Sequence, residues 1–238
     1  MPLNECTHLG NKQEELEATV LLEIYDLIAL TETWWDNSHD WSVAIDGYLL
    51  FRRDRRGKRS GHVALYIKKS TWCEELSLKN SHEQLKSLWA RNRGNKGNLV
   101  VGVYCRPPDQ GEPTDKAFLL RLHEALHLVS VALLRDFNLP DMCWKDTTVS
   151  DRQSRRFLEC IEDNFLSQVI YTPARGDAIL DEILTNASEF ITDMKIGGSL
   201  CCSDHALVEF ILLREMGKVK IIAKTLNFRK ANSSSSSI

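Results

Sequence analysis

Six polar residues stand where short apolar runs stop, and their types suit the hydrolysis of a phosphodiester. They are Glu32 in LTETWW, Asp136 and Asn138 in LLRDFNLPD, Asp181 in ILDEILTN, and the pair Asp204-His205 in CCSDHALVEF. Each has an ordinary reading on its own. Asp and Asn after a strand commonly close Asx turns, and Ser203-Asp204 can cap a turn. Together they point further, because open sheets place their sites at strand ends. Hard carboxylate oxygens without clustered Cys and His suit Mg²⁺, with Mn²⁺ as a substitute, better than Zn²⁺. Phosphodiester hydrolysis needs a metal, a base for water and donors for the developing charge, and this set supplies all three.

The elements that must carry these residues are legible from periodicity. Residues 11–24 place Leu16, Val20 and Ile24 at helical spacing. A short apolar run at 26–31 ends at Glu32. Runs at 48–53 and 62–68 read as a hairpin around a basic turn, and runs at 85–91 and 98–104 as a second hairpin around GNKGN. After Pro107-Pro108, residues 115–128 read as a helix, 129–134 as a strand leading into Asp136, and 153–164 as a helix. Further short strands are expected at 179–185, 191–196 and 206–213. Beyond about 215 the pattern fades, and the serine run 233–237 should be disordered. Hairpins alternating with helices favour an α+β arrangement, a pair of mixed sheets covered by helices.

Length and charge bound the partners. The 238 residues suit one domain. No apolar run has the roughly 18 residues a membrane span needs, and residues 1–10 lack a secretory pattern. Seven cysteines without Cys-x-x-Cys spacing suggest neither a disulfide framework nor a zinc ribbon, so a reducing nuclear or cytoplasmic setting is expected rather than secretion. The net charge of −3 hides a local balance of −7 between Lys12 and Asp40 and of +5 between Arg52 and Arg59. Arg52, Arg53, Arg55, Arg56, Lys58 and Arg59 form the first basic cluster, Arg91, Arg93 and Lys96 the second, and Arg155 with its neighbours Arg152 and Arg156 the third. One such cluster is usually a solvated face. Three on turns between strands suit contact with nucleic-acid phosphates, without sequence readout. No Gly-x-Gly-x-x-Gly or phosphate-binding loop occurs, so no nucleotide cofactor is expected. Trp34-Trp35 reads as core, and Cys201-Cys202 as inert.

ETWW, DFN, LDEILTN and SDH, in this order and spacing, resemble the endonuclease/exonuclease/phosphatase superfamily. The stretches GNKQEELEATV, LTETWWD, GYLLFRRDRRGKRSG, RPPDQ and QSRRFLECI resemble more closely the endonuclease domain of LINE-type (non-LTR) retrotransposons of the chicken-repeat clade. The likeness runs from Leu9 to Arg214. It implies a four-layer α/β/β/α sandwich of two packed mixed sheets. It also implies a domain over residues 10–214, preceded by a remnant of a first strand at 1–9. Residues 215–238 would be a linker remnant and tail, with no reverse transcriptase. By the same resemblance Glu32 ligates Mg²⁺, with Asp204 as a further ligand, and Asp136 orients or deprotonates water. Asn138 binds the scissile phosphate, and Asp181 holds His205 against a phosphate oxygen. The implied reaction is a DNA nick that primes reverse transcription.

Four positions depart from that family pattern. Glu5 falls where the family has an Asn at the end of its first strand, and loss of that strand is expected to leave an exposed sheet edge. Cys105 stands where a tyrosine precedes x-Pro, with Tyr104 one residue away and hence on the other face of a strand. Arg135 replaces the glycine before Asp136, and Gly61-His62 replaces Gly-Gly. These departures lead us to expect strongly impaired nicking. The alternative expectation is an inactive relic that binds nucleic acid through its basic turns. A phosphoinositide or sphingolipid phosphodiesterase of the same superfamily is a remoter one.

Overall fold

The computed structural model describes residues 9–23, 25–33, 44–53, 62–71, 73–78, 85, 87–94, 97–107, 110–127, 130–136, 142, 148–170, 181–197, 207–214 and 217–225. In chain order these form α1 (Leu9–Glu23), β1 (Leu27–Thr33), β2 (Tyr48–Arg53), β3 (His62–Lys68), β4 (Cys73–Glu75), β5 (Ser87–Gly94) and β6 (Gly97–Cys105). There follow α2 (Glu112–Leu126), β7 (Ser130–Asp136), α3 (Arg152–Asp163), β8 (Ser167–Gln168), β9 (Asp181–Thr185), β10 (Ile191–Gly197), β11 (Leu207–Arg214) and β12 (Gly217–Thr225).

The strands make two six-stranded mixed sheets, one in the order β10-β11-β12-β1-β3-β2 and the other β4-β5-β6-β7-β9-β8. In each sheet one pair is parallel, β1 with β12 and β6 with β7. The β6–α2–β7 crossover explains the second, since parallel neighbours need a long connection.

Alternation along the strands sorts the core into layers. Leu27, Ala29, Val63, Leu65, Val101, Val103, Ala132 and Leu134 face the other sheet. Ile28, Leu30, Ala64 and Tyr66 face Leu16 and Val20 of α1. Trp89, Val100, Val131, Leu133 and Leu184 face Phe118 and Leu122 of α2 and Phe157 and Ile161 of α3. Strands sealed on both faces read as continuous apolar runs, which is why HVALYIK lacks alternation. The four-layer α/β/β/α sandwich is the observed fold.

The end of the chain departs from expectation. The boundary at 214 and the linker reading of 215–238 are corrected by β12, which lies inside the first sheet between β11 and β1. Lys218, Lys220 and Lys224 dilute the apolar signal of GKVKIIAKT, yet Ile221 and Ile222 are fully buried. Both edges of β1 are paired. β12 pairs with β1 from Leu27↔Ile221 to Thr31↔Thr225, while β3 holds the opposite edge. A strand from late in the chain therefore sits against β1.

One glycine is fixed by close approach. A Cβ on Gly102 of β6 would lie 2.6 Å from the Trp89 ring and 2.9 Å from Leu133 Cδ1. Gly102→Ala should cost about 1–3 kcal/mol in urea unfolding, the usual penalty for overpacking a core. A chain ending at Arg214 should show no cooperative urea transition, because it strips β1 of a hydrogen-bonded edge and removes Ile221 and Ile222. A native-like midpoint for that shortened chain would contradict the placement of β12.

Candidate active site

Strand register brings three of the expected positions to one sheet end. β6 ends at Cys105, β7 ends at Asp136 and β9 begins at Asp181, and Cys105 pairs with Asp136 and Asp136 with Asp181. In the other sheet, Thr31 pairs with Val63 and Thr33 with His62, so Glu32 is the extra residue of a β-bulge. Bulges re-aim a side chain and are common beside active sites. β12 ends opposite Thr31, and β11 begins at Leu207, two residues after His205, at the same end. The side chains of Glu32, Arg135, Asp136 and Asp181, and the whole of Glu5, Asn138, Asp204 and His205, lie outside what the structure describes. So do Trp34-Trp35 and Cys201-Cys202.

A chain of contacts ties the two sheet ends together. Arg53, next to the Glu32 end of the first sheet, donates to Glu75 of β4. Arg121 of α2 donates to Ser87 Oγ at 3.0 Å, and Ser87 opens β5 opposite Tyr104. Burial lowers the proton affinity of Arg121, and the nearby charge of Arg53 lowers it further. Arg53 thus bridges the Glu32 end of the first sheet to β4 of the second. Glu32 and the Asp136–Asp181 pair consequently share one side of the sandwich.

The displaced tyrosine is held away from that end. Cys105 packs in the core between the sheets, while Tyr104 is buried on the helical side. The Tyr104 ring stacks on Phe118 with centroids 3.7 Å apart and an interplanar angle of 11°. Its hydroxyl accepts from Gln110 Nε2. Burial pushes the phenol far above its ordinary pKa, with the Gln110 bond opposing the shift. Tyr104 therefore lies on the face of β6 opposite Cys105. His62, the departure in Gly61-His62, opens β3 at the bulge and is buried.

Arg106 anchors this strand end to the helices. Its side chain is only 7% exposed and donates to both Asp115 oxygens, at 3.0 Å from Nε and 3.1 Å from Nη2. Nη2 also donates to the Gln110 carbonyl and to Gln153 Oε1. One bidentate guanidinium thereby joins β6, α2 and α3. The adjacent cavity of ≈ 20 Å³, lined among others by Tyr104, Phe118 and Gln153, has room for a water and no more.

The basic candidates divide by position. Arg52 and Arg53 end β2, while Arg55, Arg56, Lys58 and Arg59 lie outside the described residues. Arg91 and Arg93 belong to β5 rather than to a turn, which corrects their expected place. The hairpin closes at Gly94↔Gly97, at the sheet end opposite Cys105, with Lys96 outside the described residues. Arg91 lies 3.9 Å from Glu74 and is mostly covered. Arg155 is exposed on the first turn of α3. The ILTN stretch is structural. Thr185 Oγ1 donates to the Val131 carbonyl and Asn186 Oδ1 accepts from Val131 N–H, closing β9 onto β7.

Arg106, Arg121 and the His123/His127 pair of α2 were outside the sequence expectations. Arg106 stands in RPPDQ, but nothing in that stretch reveals a buried ion pair. The histidines do carry a sequence signal, the pattern His-Glu-x-x-His.

Residues 98–209 match the family described as endonuclease-reverse transcriptase. The endonuclease domain of TRAS1, a telomere-specific non-LTR retrotransposon, superposes with a TM-score of 0.64 at 12% identity, over 86% of this chain and 93% of that one. The chain shares its fold with that endonuclease domain. It is similar to non-LTR retrotransposon endonucleases. An AP endonuclease from Leishmania major gives a TM-score of 0.66 at 13% identity, over 83% of this chain and 81% of that one. A 3'-5' exonuclease from Neisseria meningitidis gives 0.59 at 16%, over 85% and 95%. At such identities these structures speak for the fold. No curated protein matches in sequence. No helix among the described residues is long and apolar enough to cross a membrane.

Arg106→Ala should lower the unfolding free energy by about 3–5 kcal/mol, because it strands the largely covered Asp115 carboxylate. Urea denaturation measures this. Gln110→Leu should cost less, about 1–3 kcal/mol, since it removes the donor that Nε2 supplies to the Tyr104 hydroxyl and to Asp115 Oδ1.

Proposed function

We propose that this domain belongs to the endonuclease/exonuclease/phosphatase superfamily and is a LINE-type, chicken-repeat-clade DNA endonuclease whose Mg²⁺-dependent nicking is strongly impaired. The observation that supports the assignment is the register Cys105↔Asp136↔Asp181 on the same side of the sandwich as the Glu32 bulge. The observation that supports impairment is Cys105 itself, with Tyr104 sealed under α2.

The donor set fits Mg²⁺ or Mn²⁺, being made of carboxylate oxygens. Glu32 and Asp204 would hold the ion, which would neutralise charge developing on the phosphate. Asp136 takes the proton of the attacking water and Asn138 donates to a phosphate oxygen. Asp181 keeps the His205 imidazole oriented and protonated toward the same anion. Arg52, Arg53, Arg55, Arg56, Lys58, Arg59 and Arg155 meet the DNA backbone on the catalytic side. Arg91, Arg93 and Lys96 serve a longer path along the sheet. Such contact is salt-dependent and blind to sequence. The domain runs through Thr225, and a soluble nuclear or cytoplasmic setting fits this reading. In sequence, β12 is followed by Leu226-Asn227, so Asn227 is the residue to test in place of the family's lost Asn.

Cys105 also favours a second reading, a relic that binds nucleic acid without cutting it. Plasmid nicking separates the two. With Mg²⁺, Cys105→Tyr/Arg135→Gly should nick supercoiled DNA about 10²–10³-fold faster than the native chain, the usual worth of one transition-state donor. In that repaired background, Glu32→Ala, His205→Ala and Asn227→Ala should each return the rate toward background, as should EDTA. A repaired variant that stays at background while still shifting duplex DNA at low salt would favour the relic. Nicking that survives both Glu32→Ala and His205→Ala would overturn the site assignment.

A further inference from the structure

The last turn of α2 carries His123-Glu124-Ala125-Leu126-His127. Spacing i, i+4 places both imidazoles on one helical face. The rings meet nearly edge to face, with centroids 4.3 Å apart at 81°, and their Nε2 atoms are 2.9 Å apart. Both residues are exposed. Nδ1 of His123 lies 3.3 Å from Oδ1 of Asn164, the residue capping α3. The Asn164 amide is itself oriented, because its Nδ2 donates to the Cys160 carbonyl at 2.7 Å. Its oxygen only accepts, so His123 carries its proton on Nδ1 and presents the lone pair of Nε2 to His127.

We propose that His123 and His127 form a two-imidazole site for a divalent transition metal of the nitrogen-preferring kind, Ni²⁺, Cu²⁺ or Zn²⁺. Nitrogens about 2.0–2.1 Å from one metal lie roughly 2.9 Å apart at a right angle and about 3.3 Å apart at the tetrahedral angle. The observed separation therefore needs little change. His127 has only to carry its proton on Nδ1 in place of Nε2, and both lone pairs then converge. A carbonyl oxygen behind a ligating histidine is the usual device for setting tautomer and ring orientation. His127 is also the residue that caps the C-terminus of α2, where the helix dipole favours a cation.

Among the described residues no group of three or more His, Cys, Asp or Glu could hold a metal, so water completes the coordination. That separates the site from the zinc peptidases whose helices share the His-Glu-x-x-His pattern, and the proposal is of binding, not of proteolysis. The pair precedes β7, whose start lies at the sheet end opposite Asp136, so it is distinct from the candidate nuclease site.

Calorimetric titration of the full chain with Ni²⁺, after EDTA treatment and with a non-thiol reductant, tests this. The native chain should bind one equivalent that His123→Gln or His127→Gln weakens by tenfold or more. Asn164→Leu, which removes the orienting oxygen, should weaken it by about 10–100-fold. Thermal unfolding gives a second reading: Ni²⁺ should raise the native Tm and leave that of His127→Gln unmoved, and equal Mg²⁺ should move neither. No Ni²⁺ heat, or an isotherm unchanged in both histidine variants, would overturn the site. Unaltered affinity in Asn164→Leu would overturn the positioning role of Asn164.

Discussion

Every backbone amide of β1 must find a partner inside the protein, because Leu27, Ile28, Ala29 and Leu30 are buried on both faces of the strand. Water cannot substitute there, and an unmet amide costs about as much as a lost hydrogen bond. β3 satisfies one edge and β12 the other. The first sheet, the position of Glu32 at its bulge and the alignment of β11 all follow from that closure. A segment late in the chain, apolar enough at Ile221 and Ile222, supplies the second edge.

The second sheet obeys a different constraint. Period-two alternation admits no compromise, so a one-residue displacement of a tyrosine sends it to the opposite layer. Tyr104 is not lost from the protein; it is converted into core, stacked on Phe118 and tied to Gln110. Cys105 takes the inward position and contributes to the inter-sheet core. Both placements stabilise the fold.

Much of this was legible along the chain. The two hairpins, the three helices and the strand ending at Asp136 announced themselves by period and by Gly and Pro punctuation. β12 did not, since its lysines obscured a run whose apolar worth depends on a slot between β11 and β1. Arg91 and Arg93 seemed to sit on a turn, because basic residues beside GNKGN read as solvent-facing until strand pairing carries β5 on to Gly94. The pairing of Arg106 with Asp115 joins residues nine apart across Pro107-Pro108, and no spacing rule foresees it.

The sequence by itself determined that neighbouring residues of a strand face opposite layers and which residue types are available for chemistry, because these depend on local geometry and side-chain identity. Only the tertiary structure decided that Cys105, Asp136 and Asp181 share one register, that Glu32 occupies a bulge on the same side, and that β12 closes the sheet. Those facts rest on hydrogen bonds between strands far apart in the chain, and edge pairing is settled by which segments can be buried together.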